Sequence, residues 1–177
     1  MANLKGIFSW CAVFLLFVLI LGGCGSGSGT SSARTTKAKT SLKTAGLASS
    51  GLLVGAMEVV VSFPYGVTVE LDPVTNEPAK SVVQLVGTSD PAMTLNALSY
   101  VAASPTAKGS LRIVYLNAAG FTPSDSLSVQ LDIATGFFPQ ASDFSLTKFE
   151  IVTMAADGNT INPQAPVPNP VFTAEVK

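Results

Sequence analysis

Hydrophobic and polar residues alternate along most of the chain after residue 50. In the first such run, hydrophobic side chains occupy every second position from Met57 to Phe63. Alternating runs also cover residues 67–71, 98–102, 111–115 and 127–133. Residues 81–86 form a β-branched run and residues 144–154 a long last run, with Gly, Pro, Asn and Asp between the runs. A period of two residues is typical of antiparallel strands that keep one face of each sheet in water. The pattern predicts an all-β fold over residues 51–161, an antiparallel β-sandwich or barrel, of which we expect the sandwich.

The first 23 residues have the layout of an export signal. One positive side chain, Lys5, precedes an apolar run of 15 residues from Ile7 to Leu21, and two glycines follow. As a helix this run is roughly 22 Å long, shorter than the ~30 Å hydrocarbon core of a bilayer. We therefore predict a signal helix that is cleaved from the chain, and not a permanent transmembrane helix.

The signal ends in Leu21-Gly22-Gly23-Cys24, a hydrophobic residue and two small residues before a cysteine. This tetrapeptide resembles the lipobox of bacterial lipoproteins. The resemblance implies that residues 1–23 are removed, that the Cys24 thiol carries acyl chains, and that membrane lipid is a partner of the chain. It implies a place in the bacterial cell envelope, with the outer membrane favoured because Gly25, and not aspartate, follows the cysteine. An ordinary cleaved signal with an incidental cysteine is the alternative.

Two segments flank the predicted sandwich. Residues 24–50 are rich in Gly, Ser, Thr and Lys and have no apolar periodicity, which predicts a flexible linker after the lipidated cysteine. Its bases are Arg34, Lys37, Lys39 and Lys43, and they indicate a solvated tether; contact with anionic lipid headgroups is the alternative. Residues 162–177 begin with several prolines and predict an extended tail, in which 171–176 could add a short edge strand.

Several segments of the sandwich region together resemble a known family. They are Pro64–Val69, Gly109–Asn117, Asn117–Phe121, Ser128–Ile133 and Asp143–Gly158. Their order resembles that of a cohesin-like or jelly-roll-type β-sandwich. Cellulosomal cohesins and some carbohydrate-binding modules are related to it in architecture. The similarity covers about residues 54–161. It implies docking of a protein partner through a flat sheet face.

The residue types available for chemistry are few. The chain has no histidine, and its only cysteine besides Cys24 is Cys11, inside the signal, so imidazole and thiol chemistry and zinc sites are excluded. Paired carboxylates are the remaining catalytic route, and the candidates lie at positions predicted to face outward: Glu58, Glu70, Asp132 and Glu150. We therefore predict a protein that is not an enzyme and holds no cofactor. Oxygen-bearing turns at 72–77 and 157–160 are expected to be Asx turns and not calcium sites.

The charge distribution argues against nucleic acid as a partner. Residues 51–177 contain five bases and eleven acids, so the bases are not concentrated on the folded part.

Exposed rings are the best candidates for ligand contact. The only tryptophan, Trp10, lies in the signal, and Tyr100 and Tyr115 fall on strand faces that predict core packing. Phe137 and Phe138 are adjacent and precede a proline, so they either plug one end of the sandwich, which we favour, or expose an apolar edge to a partner.

Tyr65, between a proline and a glycine, is a third possible contact residue. From these features we predict a membrane-anchored extracytoplasmic binding module that docks a protein. The alternatives are a carbohydrate-binding module for polysaccharide and a structural envelope lipoprotein without a ligand.

Overall fold

The computed structural model describes residues 36–43, 53–86, 90–123, 126–154 and 169–177. The signal, Cys24, the remainder of the predicted linker and the turn at 157–160 lie outside the described residues. Nine strands are described: β1 (Thr36–Lys43), β2 (Leu53–Phe63), β3 (Val67–Thr68), β4 (Val83–Val86), β5 (Leu95–Val101), β6 (Gly109–Phe121), β7 (Ser126–Ile133), β8 (Ser145–Met154) and β9 (Val171–Val176).

The strands form two antiparallel sheets, so the predicted all-β sandwich is confirmed. The five-stranded sheet has the order β3–β7–β1–β9, with β4 also paired to β7, and the four-stranded sheet has the order β5–β6–β2–β8. Two single-turn 3₁₀ helices, Lys80–Val82 and Ala141–Asp143, lie between strands, and the described residues include no α-helix. Among the described residues, no helix is long and apolar enough to cross a membrane.

The core consists of the inward positions of both sheets. The predicted alternation is confirmed in β2, β6 and β7, where every second side chain is buried. The largest fully buried side chains include Leu42 and Leu131 from one sheet and Phe63, Leu111, Ile113 and Phe121 from the other. Burial of each such side chain contributes about 1.5–3 kcal/mol to folding, so these faces hold the two sheets together.

The prediction of a flexible linker over residues 24–50 was wrong for Thr36–Lys43. These residues form β1, which is antiparallel to β7 on one side and to β9 on the other. The side chains of Ala38, Thr40 and Leu42 face inward and are buried. Only one of the three is a large hydrophobe, so the alternation that marks the other strands is weak here. The folded domain therefore includes β1 and does not begin at residue 51.

The basic residues of this segment are correspondingly part of the fold. Lys37, Lys39 and Lys43 project from the outer face of β1. The ammonium of Lys37 lies 3.2 Å from the carboxylate of Asp132 on β7. These three lysines were predicted to lie in a basic tether, but they lie on the solvated face of a sheet.

Among the described strands, β9 pairs with β1 alone and forms the edge of the five-stranded sheet, so residues 171–176 do add the short edge strand that the predicted tail left open. The domain thus extends past residue 161 to this strand.

The strand expected over residues 67–71 is shorter than predicted, because β3 ends at Thr68 and the chain turns soon afterwards. In that turn the Asp72 carboxylate accepts hydrogen bonds from the backbone N–H groups of Val74 and Thr75, at 2.8 and 3.0 Å. These bonds lower the pKa of Asp72 and make the turn an Asx turn. The described residues contain no group of three or more acidic or cysteine side chains that could hold a metal ion.

The position of β1 can be tested with one inward and one outward substitution. Leu42→Ala removes a buried side chain from between the sheets, so we expect the free energy of unfolding to fall by about 2–5 kcal/mol. Lys43→Ala, at the exposed neighbouring position, is expected to change it by less than about 0.5 kcal/mol. Urea unfolding of the purified protein measures both. Equal, small effects would mean that this segment is the linker predicted from its composition.

Candidate functional site

The three aromatic residues predicted as ligand contacts lie at one end of the sandwich. Tyr65 is in the turn between β2 and β3, and Phe137 and Phe138 are in the loop after β7. The rings of Tyr65 and Phe137 meet edge to face, with centroids 5.2 Å apart and an interplanar angle of 88°. Phe138 does not join this pair and is 87% exposed. We call this end of the domain, formed by Pro64–Gly66, residues 102–108 and residues 134–144, the aromatic end.

The expectation that Phe137 and Phe138 both plug the sandwich is only half right. Phe137 packs over the β2–β3 turn and is 36% exposed, whereas Phe138 points into solvent. Adjacent residues in an extended loop project to opposite sides, so one ring can be covered only if the other is not. The aromatic end therefore combines a packed pair of rings with one free ring.

Backbone hydrogen bonds hold the loop that carries these rings. The N–H of Ala134 donates to the carbonyl of Gly66 at 2.8 Å, and the N–H of Phe137 donates to the carbonyl of Ala134 at 3.2 Å. Further along the loop, the N–H of Gln140 donates to the Asp143 carboxylate at 2.7 Å. These hydrogen bonds lie before and after Phe138 in the chain and fix the conformation of the loop. Phe138 is therefore exposed in a defined loop conformation.

Glycine is required where Phe137 packs. Gly66 has a φ of +84°, and a Cβ built on it would lie 2.2 Å from the Phe137 ring. A residue with a side chain would therefore both strain the backbone and displace the ring. Gly136, in the neighbouring loop, has a similar φ of +88°, but a Cβ there would meet nothing within 4 Å.

Two clefts adjoin the Tyr65–Phe137 pair. One, of about 430 Å³, is lined by Phe137, Phe138 and Gln140 together with Thr36 at the start of β1. The other, of about 240 Å³, lies between Tyr65 and the loop 104–108. The Lys108 ammonium donates to the carbonyl of Asp143 at 2.7 Å and so ties that loop to the one after β7.

A second candidate surface is the outer face of the four-stranded sheet. At its centre Glu58 of β2 accepts from the guanidinium of Arg112 on β6 at 2.7 Å and from the ammonium of Lys148 on β8 at 3.1 Å. Lys148 also contacts Glu150 at 3.0 Å. We call these four residues the charged cluster. The hydrogen bonds from Arg112 and Lys148 lower the pKa of Glu58, so its carboxyl stays ionised to lower pH than an ordinary glutamate.

An apolar row lies beside the charged cluster. It consists of Val152, Ala56 and Leu116, which are direct neighbours across β8, β2 and β6. Leu116 is 51% exposed and Val152 41%. Sequence reasoning missed this row, because Leu116 and Val152 stand in the outward phase of strands whose inward phase is also hydrophobic. The sequence did contain an indication of the row, because around Leu116 and Val152 hydrophobic residues occupy the outward as well as the inward positions of the strand.

The outer face of the five-stranded sheet differs in chemistry. Its central row contains Gln84, Ser128, Ser41 and Thr173, neighbours across β4, β7, β1 and β9. Among the described residues of this face the exposed large hydrophobic side chain is Val171, at the edge. Among the side chains that the structure describes, the two outer faces are thus unlike, and exposed aliphatic surface is concentrated on the four-stranded sheet.

The other residues considered in the sequence analysis are two core tyrosines and four acidic residues that are not part of the aromatic end. Tyr115 is buried, which raises its pKa to about 12, and Tyr100 is half-buried and stacks on Phe63, so both tyrosines are core residues as expected. Glu58 and Glu150 are cross-strand neighbours on the four-stranded sheet, Asp132 lies on the other sheet, and Glu70 is exposed beyond β3.

The two glycines of the aromatic end provide a matched test of ring packing. In Gly66→Ala the new methyl group collides with Phe137, whereas in Gly136→Ala only the backbone strain of about 1–2 kcal/mol is added. We expect Gly66→Ala to lower the free energy of unfolding by more than Gly136→Ala and to change the near-ultraviolet circular dichroism of the rings. Equal effects of the two variants would contradict the packing of Phe137 on Gly66.

The charged cluster predicts a pH dependence of stability. Because the pKa of Glu58 is lowered in the folded protein, its contribution is fully present above the ordinary pKa of 4.5 and is lost as the pH falls through the folded value. We therefore expect wild type to be more stable than Glu58→Gln at neutral pH, and the difference to vanish on acidification. Chemical unfolding between neutral and acidic pH measures it.

A control removes the partners of Glu58. In the Arg112→Gln, Lys148→Gln background, Glu58→Gln should no longer change the pH dependence. A difference between wild type and Glu58→Gln that does not depend on pH would contradict the ion pairs as the cause.

Comparison of the chain with known protein families, with curated proteins and with solved structures finds no match.

Proposed function

We propose that this protein is a binding module of the bacterial envelope, held to a membrane by lipid on Cys24, which docks another protein on the outer face of its four-stranded sheet. The observation that carries the proposal is the difference between the two outer faces. The four-stranded sheet places an apolar row next to the charged cluster, and the five-stranded sheet carries hydroxyl, amide and charged groups.

The chemistry of the four-stranded face suits a protein partner. Protein interfaces combine a desolvated apolar centre with a polar rim that gives specificity, and arginine is enriched in them. The apolar row supplies aliphatic contact, and Arg112 and Glu58 at its side supply charges of both signs. The strands are hydrogen-bonded to neighbours throughout the central part of the sheet, so a partner meets a prearranged surface with little ordering cost.

Glycan binding has less support. Stacking on sugar faces needs rings that lie in one plane, and the Tyr65 and Phe137 rings are perpendicular. Phe138, at 87% exposed, is the one of the three rings outside this pair. A single ring with two clefts is a small platform for a polysaccharide.

Catalysis by carboxylates also has less support than binding. A general acid in glycoside hydrolysis needs a raised pKa so that it is protonated at neutral pH. The neighbouring carboxyls of Glu58 and Glu150 are both bridged by Lys148, and the pKa of Glu58 is lowered. The cluster is therefore better suited to charge complementarity than to proton donation.

The docking proposal is tested by placing a charge in the apolar row. With the full-length protein as bait in envelope extract, wild type should retain a specific partner. Leu116→Glu should weaken that complex by about 2 kcal/mol or more, about thirtyfold in Kd, because it buries an unpaired charge at the interface. Calorimetry with the identified partner measures the change.

The matched control is Val74→Glu, which adds the same charge at a 90% exposed position outside the four-stranded sheet. It should bind like wild type, and circular dichroism should show that both variants fold. Equal retention of the partner by Leu116→Glu, or recovery of no partner by wild type, would contradict docking on this face.

A further inference from the structure

We propose that the aromatic end is a second membrane contact: Phe138 and Tyr65 insert into the interfacial layer of the lipid surface to which the chain is anchored. The inference rests on the anchoring part of the proposed function and goes beyond it, because it assigns an orientation to the domain and a role to residues outside the docking face. Its occupant is a phospholipid surface.

The first described strand begins at this end of the domain. β1 starts at Thr36, and Thr36 lines the same cleft as Phe137 and Phe138. From Cys24 to Thr36 the chain can span at most about 43 Å, the limit for twelve fully extended residues. The far end of β1, at Lys43, lies about 23 Å further along the strand axis. The tether thus joins the domain at its aromatic end and is long enough for this end to rest on the lipid surface.

The exposed rings at this end have the properties of an interfacial contact. Phe138 is 87% exposed and Tyr65 is 49% exposed, although each carries a large aromatic ring. Aromatic side chains are enriched at membrane–water interfaces, and tyrosine places its hydroxyl at the level of the headgroups. Since hydrogen bonds fix the loop after β7, Phe138 is presented to the surface at no further ordering cost.

Charge does not oppose or dominate this contact. Near the aromatic end, Lys37 pairs with Asp132, and Lys177 pairs with Glu175. Lys108 donates to the backbone carbonyl of Asp143, and the carboxylate of the same residue supplies a negative charge in that loop. Positive and negative groups are balanced among the described residues of this end, unlike the basic clusters that select anionic lipid. The contact is therefore expected to depend on ring insertion and to occur on zwitterionic lipid.

This orientation leaves the docking face accessible. The apolar row of Val152, Ala56 and Leu116 lies towards the opposite end of the four-stranded sheet, beyond the charged cluster from Phe63 and Gly109. A domain that rests on its aromatic end therefore presents the apolar row away from the lipid.

A tryptophan in place of Phe138 reports the contact directly. In a Trp10→Phe background, Phe138→Trp introduces the chain's only tryptophan. The full chain is expressed in a bacterial host that processes lipoproteins and is reconstituted in phosphatidylcholine vesicles, with or without bromine on the acyl chains. We expect the tryptophan emission to shift to the blue and to lose most of its intensity with brominated lipid. Tyr65→Trp should respond in the same direction.

The matched control is Val171→Trp in the same background. Val171 is 52% exposed, comparable to Tyr65, but it lies at the opposite end of the five-stranded sheet beside Lys43. The emission of this variant should stay at the wavelength of a hydrated tryptophan and should not be quenched. Quenching at both ends would overturn the orientation.

Mass spectrometry of the same preparations separates the two proposals. If Cys24 carries acyl chains and the emission of the Phe138→Trp variant is neither shifted nor quenched, the membrane contact is overturned and the anchor stands. If Cys24 is unmodified, the anchor fails, and the membrane contact, which depends on it, fails with it.

Discussion

The pairing of β1 with strands on both of its edges is the constraint on which the five-stranded sheet depends. β7 provides one ladder and β9 the other, and without β1 the strand β9 has no described partner. The inward side chains Ala38 and Leu42 of β1 cover the core that the four-stranded sheet presents from the other side. Unpaired backbone groups of β7 and β9 would otherwise need water, and the hydrophobic inner face of β7 would be open to it.

Most of the fold could be predicted because its strands combine strict alternation with large hydrophobic residues, as in β6 and β7. The strand β1 could not be predicted, because Ala38 and Thr40 are small or polar and the outward positions of the strand hold lysine and serine. Such a composition is shared by linkers, and only the two neighbouring ladders, which are formed with residues far along the chain, make it a strand. The Thr40 hydroxyl is buried without a hydrogen-bond partner in the described part of the chain, a further sign that position, and not local preference, places it there.

The candidate surfaces were predictable to different degrees. Tyr65, Phe137 and Phe138 could be selected because rings next to proline or glycine in loops have few ways to be buried. Their joint location and the perpendicular packing of two of them depend on a backbone contact between the β2–β3 turn and the loop after β7, which no local pattern contains. The apolar row escaped prediction for the opposite reason, because Leu116 and Val152 lie among so many hydrophobic neighbours that their outward phase is inconspicuous.

The two surfaces divide the domain by chemistry. At the aromatic end, rings are exposed on hydrogen-bonded loops and charges are paired, which favours contact with an apolar–polar boundary. On the four-stranded sheet, aliphatic side chains adjoin the charged cluster, which favours a partner with a defined pattern of charge. Nothing in this division requires a moving part, because hydrogen bonds already fix the described loops and strands that carry the two surfaces.

The adjacency of β1 and β9 also sets the order in which the domain can be assembled. The hydroxyl of Thr173 reaches the carbonyl of Ser41 across 132 residues of sequence. β5 and β6 are consecutive in the chain and can pair as soon as both have been made, whereas β9 must wait until all the other strands have been synthesised. Long-range pairing of this kind is slow, because the entropy of closing the intervening loop is lost before any contact offsets it. Until β9 arrives, the newly made chain keeps an open sheet edge along β1, and that edge can mispair with another molecule.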